Sequence, residues 1–275
     1  MTKVPLTGRT TPGADLTRRR LWVGLNAVDV RGSFAGERAP IVLVHGIGVS
    51  GEYFLPLADA LSADHDVYVL DLPGYGNTPN PRRALTVAEL GETVAEVIKE
   101  LGRDRPVVVG HSMGAQILAQ TIGQHPQLCA GYIMIGPTVD PAARSLRAQA
   151  WRLLRDSLRE PARTNAVIFR NYARMGPLRY LRTARYMLAD RIEETILDCA
   201  IPGLVVRGAR DPIADQDWAR QLVRLAPDAD LLEIPGARHA VQHTRPKELA
   251  AACAPFLASA FRDRFANPSS PAPWD

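Results

Sequence analysis

Ser112 stands between glycines two residues to either side, in the window 107–114 that reads VVVGHSMG. An apolar β-branched run precedes it, and an amphipathic stretch that predicts a helix follows. A sharp strand-to-helix turn forces its central residue into strained dihedrals, and glycines two residues before and after leave room for the backbone to pass. A serine held this way is presented above the edge of a sheet, with the unpaired N–H groups of the next helix facing its reacting oxygen. A Gly-x-Ser-x-Gly alone also occurs in ordinary loops; the strand before it and the helix after it make Ser112 a candidate nucleophile. A serine hydroxyl attacks poorly at neutral pH, so it needs a general base within hydrogen-bond reach and an acid to orient that base. The chain offers six histidines for the first role: His45, His65, His111, His125, His239 and His243.

The elements that must position these groups follow from hydrophobic patterning. Residues 41–44 (IVLV), 67–70, 107–109, 132–135 and 204–206 are continuous apolar runs, the pattern of strands buried on both faces of a parallel sheet, and each ends near glycine or aspartate. Residues 21–31 (LWVGLNAVDVR) predict an antiparallel hairpin that turns at Asn26-Ala27. Helical patterns lie between the runs. Val87, Leu90, Val94, Val97, Ile98 and Leu101 recur every three or four positions and Gly102 supplies a stop; a second helix runs from Met113 to Gln124, and a last one starts with Pro246 in its first turn. This alternation forces parallel strands and right-handed crossovers, giving an α/β fold with a mostly parallel central sheet and helices on both faces. Residues 138–200 break it: amphipathic stretches without a buried strand predict a helical cap inserted between two strands. The expected organisation is a flexible N-terminal segment 1–20, a core of 21–137 and 201–265, the cap 138–200 and a mobile tail 266–275.

With these motifs in order, the sequence resembles the α/β-hydrolase family, in its serine-nucleophile branch, over about residues 21–265. The marks are His45-Gly46 after the first buried run, Asp71-x-Pro73-Gly74-x-Gly76 after the second, the Ser112 window after the third, Gly208-x-x-Asp211 after the run beyond the cap, and Gly236-x-x-His239. The resemblance implies the order Ser, Asp, His: His239 as general base and Asp211 as the acid that holds it, with Asp140 as the competitor because some relatives carry the acid on the earlier strand. It also implies an oxyanion hole from the backbone N–H groups of Met113 and Ile47. Other members use aspartate as nucleophile; serine at 112 disfavours their chemistry. Carbon–carbon bond hydrolases share the Ser-Met-Gly elbow, but Val49 stands where they commonly have proline and Ala240 where they commonly have tryptophan. The implied activity is hydrolysis of a small carboxylic ester or thioester through an acyl-enzyme on Ser112. The alternatives are a triad-bearing biosynthetic enzyme (acyl transfer, cyclisation or carbon–carbon cleavage) and a small-molecule-binding protein with little turnover.

Substrate specificity belongs to the cap, where Trp151, Phe169, Tyr172, Tyr180 and Met187 are candidate pocket residues, although amphipathic helices must bury such side chains in any case. The chain has 275 residues, 46% of them hydrophobic and 23% charged, which suits one globular core rather than a disordered or fibrous chain. The formal charge of +4 is concentrated: residues 138–200 carry 12 arginines against 7 acidic residues, and the remainder is nearly balanced. Such a distribution is no nucleic-acid footprint; either it is a solvated face in a chain with 30 arginines and 3 lysines, or it attracts an anionic acyl donor. Three scattered cysteines fit buried thiols rather than a disulfide framework. The N-terminal stretch lacks the apolar region of a signal peptide, and no window reaches the ~20 apolar residues of a membrane span. The expectation is a cytoplasmic protein with no membrane or nucleic-acid partner. Nothing has metal-ligand spacing, and Gly74-x-Gly76 lacks the third glycine of a dinucleotide turn, so no cofactor is expected.

Overall fold

The structure, a computed structural model, describes residues 4–5 and 16–266. Among the described residues nine strands form one sheet: β1 (Val4–Pro5), β2 (Thr17–Val23), β3 (Asn26–Gly32), β4 (Pro40–Val44), β5 (Asp66–Asp71), β6 (Val107–His111), β7 (Gly131–Ile135), β8 (Gly203–Gly208) and β9 (Ala229–Ile234). Their order is β1-β2-β3-β5-β4-β6-β7-β8-β9, antiparallel as far as the β3–β5 pair and parallel from β5 to β9. Period-two alternation explains why the central runs read as continuously apolar. In β4, Val42 and Val44 join one core cluster while Ile41 and Leu43 join the other. The first cluster takes in α2 (Val87–Leu101), α3 (Met113–Gln124) and α8 (Gln216–Leu225); the second takes in α1 (Leu55–Leu61), α9 (Val241–Thr244) and α10 (Pro246–Ala266). Helix α2 begins where the sequence predicts, because Thr86 and Glu89 form a reciprocal capping box.

The hairpin differs from expectation in its turn. Strands β2 and β3 pair Val23 with Asn26, so the chain reverses at Gly24-Leu25, with Gly24 at φ +55°, and not at Asn26-Ala27. The boundary at residue 20 also shifts, since β2 already starts at Thr17. Arg18 and Arg20 both pair with Asp29 of β3, whose side chain is fully buried, and this draws the residues ahead of Leu21 into the sheet. The remaining parts of the expected flexible segment and tail, residues 1–3, 6–15 and 267–275, lie outside the described residues.

Between β7 and β8 the chain leaves the sheet for four helices, α4 (Leu146–Ser157), α5 (Ala162–Met175), α6 (Pro177–Ala189) and α7 (Ile192–Thr195). These make the helical cap. One end is tied down by amide side chains of α3: Gln116 donates to the Met187 carbonyl and to Asp190 (both 2.9 Å), and Gln120 donates to Asp190 at 2.8 Å. Where the cap departs, Trp218 of α8 is completely enclosed and its indole N–H donates to the Pro137 carbonyl at 2.9 Å. Trp218→Phe should keep most of the apolar contact but leave that carbonyl unpaired, at a cost of about 1–3 kcal/mol. A fall in the denaturant midpoint at unchanged slope would register it; an unchanged midpoint would refute it.

Candidate active site

Neighbouring strands β4 and β6 leave the sheet's centre in opposite topological directions, since β5 lies beyond β4 and β7 beyond β6. A crevice opens at the carboxyl ends of such strands. Ser112 sits there, directly after β6, at φ +57° and ψ −120°, a region that non-glycine residues rarely enter. Close packing enforces the turn. A Cβ on Gly114 would lie 2.3 Å from the Val44 carbonyl oxygen, and one on Gly110 would lie 2.5 Å from the Gly114 carbonyl oxygen. Both glycines are thus required by contact between the first turn of α3, β4 and β6. The Ser112 N–H donates to the Ile135 carbonyl (2.9 Å), which ties the turn to β7 as well.

Two loops bring the partners. His239 follows β9 and Asp211 follows β8; the imidazole Nδ1–H donates to Asp211 Oδ2 at 2.9 Å, leaving Nε2 with its lone pair. The other carboxylate oxygen accepts the N–H groups of Ile213 (2.7 Å) and Ala214 (3.1 Å), so the carboxylate cannot rotate freely. Burial disfavours a charged His239, but the Asp211 charge and hydrogen bond, with Asp156 and Glu160 adding to them, outweigh it and hold the imidazole above its ordinary pKa. Asp140, the competing acid, is spoken for elsewhere: it accepts the Ala142 N–H at 2.8 Å and pairs with Arg152 at 2.7 Å.

His239, Ser112 and Ile47 line one cavity of about 490 Å³ between the sheet and the cap. Ile47 follows the His45-Gly46 pair; the Met113 side chain is fully buried, and its N–H opens α3. His45 is structural, bridging the Gly46 carbonyl through Nδ1 (2.9 Å) and the Leu72 N–H through Nε2 (3.2 Å). His111 Nε2–H donates to the His239 carbonyl at 3.1 Å, and burial, followed by the nearby His239, depresses its pKa well below the usual imidazole value. Of the expected pocket residues, Phe169, Tyr172, Tyr180 and Met187 line the cavity; Trp151, which is 62% exposed, does not. Sequence patterning missed Tyr53 and Asp156, which line it too. Among the described residues no arginine lines this cavity, although Arg174 of the cap lines a second, smaller one with Asn77, Asn80 and Asn171. Arg144 pairs with Glu193, Arg152 with Asp140 and Arg170 with Glu52. Among the described residues no cluster of metal-ligating side chains occurs, and no helix is long and apolar enough to cross a membrane.

A family model described as the alpha/beta hydrolase family matches residues 41–252. The chain belongs to the α/β-hydrolase family. This α/β-hydrolase is 29% identical over 226 residues to the dihydrolipoyllysine-residue acetyltransferase component of an acetoin cleaving system from Pseudomonas putida, a match covering 74% of the chain but 59% of that longer protein. It is 25% identical over 256 residues to 2-(acetamidomethylene)succinate hydrolase from Mesorhizobium japonicum, covering 83% of the chain and 91% of that enzyme. Among solved structures, a membrane phospholipase A superposes with a TM-score of 0.77 over 90% of this chain and 87% of its own, at 20% identity, which speaks to the fold. The family and the hydrolases among its relatives support an enzyme of hydrolytic type.

The paired imidazole carries a titration signature. Nuclear magnetic resonance of the ring nitrogens should show His239 titrating above the ordinary imidazole value of about 6.5, with His111 neutral well below it. Asp211→Asn removes the nearest opposing charge and should drop the His239 midpoint; a midpoint insensitive to that change would refute the electrostatic account.

Proposed function

We propose that this α/β-hydrolase cleaves a carboxylic ester or thioester through an acyl-enzyme on Ser112. The observation that carries the reading is the hydrogen bond from His239 Nδ1 to Asp211, formed at the rim of the cavity into which the strained turn presents Ser112. In the proposed cycle His239 Nε2 accepts the proton of Ser112 Oγ as that oxygen attacks the substrate carbonyl. Charge moves onto the carbonyl oxygen, where the N–H groups of Met113 and Ile47 receive it; backbone donors do this work whatever their side chains. The imidazolium, stabilised by Asp211, then protonates the departing alcohol or thiol. Water, deprotonated by His239, attacks the acyl carbon and releases the acid and free Ser112.

The lining bears on the acyl group. Leu153, Leu154, Ile168, Phe169 and Met187 surround the serine with apolar surface, which favours an uncharged hydrocarbon-rich portion over a carboxylate or phosphate. The anionic-donor reading of the cap arginines finds no support in that lining.

A fluorophosphonate probe should label the protein, and a short p-nitrophenyl ester should turn over; Ser112→Ala should abolish labelling and reduce kcat by roughly 10⁴–10⁶. A wild type that neither labels nor turns over any ester or thioester would overturn the proposal. The rate should also fall on acidification, because the imidazolium cannot accept the serine proton. Since His239 is held above its ordinary pKa, the acid limb of kcat/KM should lie above about 6.5. Asp211→Asn should move that limb down and lower kcat by roughly 10⁴; a limb that stays in place would assign it to another group.

A further inference from the structure

Asp156 stands in the last turn of α4 and is 4% exposed, on the cavity that also holds Ser112 and His239. Its environment is odd for a carboxylate. The main-chain N–H of His239 approaches its carboxylate, whereas no protein group donates to Oδ1, although that atom is buried. Nearby charges act in both directions: His239 and, more weakly, Arg238 attract it, while Asp211 and Glu160, whose Oε1 accepts the Ala240 N–H at 3.4 Å, repel it. An acid near a helix C-terminus also works against the helix dipole. Neither helix stability nor cap packing therefore explains an aspartate here, on a helix face that also gives the cavity Leu146, Gln149, Ala150, Leu153, Leu154 and Ser157.

We propose that Asp156 is a specificity-determining residue whose Oδ1 accepts a hydrogen bond from a donor on the bound substrate, an amide N–H or a hydroxyl. The donor is neutral. A lining made mostly of hydrocarbon side chains cannot solvate an ammonium ion. A site built to pair with a donor rejects the analogue that lacks it far more strongly than an apolar pocket rejects a missing methylene. The inference deepens the proposed ester or thioester hydrolysis and rests on it for the location of the reacting carbonyl.

The test uses matched p-nitrophenyl esters of N-acetylated amino acids with two, three or four methylenes between the nitrogen and the ester carbonyl, each against its O-acetyl counterpart, in which only the N–H is replaced. Wild type should favour the amide member of at least one pair by about tenfold or more in kcat/KM. Asp156→Leu should erase that preference, and Asp156→Asn, whose amide oxygen still accepts, should keep part of it. Preferences equal within twofold in wild type and Asp156→Leu at every length would overturn the proposal. Binding separates this outcome from a failure of the hydrolase reading: calorimetry of N-butylacetamide and butyl acetate on Ser112→Ala should favour the amide, and Asp156→Leu in that background should remove the difference. Equal affinities in both proteins would overturn the subsite even if ester turnover is observed.

Discussion

The absence of space between the first turn of α3 and strand β4 is the constraint on which the site depends. With Val44's carbonyl oxygen 2.3 Å from where a Gly114 side chain would begin, the helix can start so close to the sheet only if that position has no Cβ. The close start leaves the chain a single sharp reversal in which to leave β6, and Ser112 absorbs it at φ +57°. Such strain persists only where surrounding structure over-determines it. Here β4, β6 and β7 all contribute: β4 through Gly114, β6 through Gly110, and β7 through the Ile135 carbonyl that binds the Ser112 N–H. Strained serine and central sheet are thus one packing problem.

The same economy of space governs the imidazole. Gly136, at φ +53°, lies where a side chain would come within 2.9 Å of the His239 ring, and 3.2 Å of Asp211 Oδ2. The end of β7 therefore serves as the floor on which the His239–Asp211 pair rests. On its other side the loop is held through its main chain, since His111, adjacent to the serine, donates to the His239 carbonyl. One residue of the elbow thus fixes the loop that carries the proposed base. Because burial keeps His111 neutral, it can hold that bond without placing a second positive charge beside His239, where like charge would lower the basicity that Asp211 raises.

What the sequence made legible tracks how local each determinant is. Central strands are visible as apolar runs because both faces of β4 to β7 meet a core, and α2 is visible because its cap and stop lie within its own residues. The elbow is readable in part for the same reason: the contact of Gly110 with Gly114 lies within five residues, whereas that of Gly114 with β4 emerges only from the fold. The hairpin turn was misplaced because Asn26 resembles a turn residue while tertiary pairing of Arg18 and Arg20 with Asp29 sets the register. Amphipathicity identifies the apolar stripe that holds Trp151 but not which helix face meets the cavity. Asp156 was invisible for a related reason: an acid on a charged amphipathic helix reads as a solvated residue until the fold encloses it.

The arginine surplus shows how a compositional signal can change meaning in three dimensions. Arg144, Arg152 and Arg170 sit at seams of the cap, pairing with Glu193, Asp140 and Glu52 respectively, and Arg144 and Arg152 also reach the Asp190 and Ile213 carbonyls. These contacts are unequal. At the end of α6 the Gln116 and Gln120 bonds to Asp190 are largely shielded from water, while Arg170–Glu52, joining α5 to the core, has side chains 45% and 37% exposed. Exposed ion pairs contribute about 0–1 kcal/mol and weaken with salt. The α6 end of the cap is therefore anchored by shielded polar contacts, whereas α5 is seated by apolar packing beside that exposed pair, with Met175 in the first core cluster and Val167, Ile168 and Tyr172 against Val49, Tyr53 and Ala240. Tyr172, which α5 contributes to the cavity wall, thus owes its position to an apolar seat on the core and not to the ion pairs on the cap's surface.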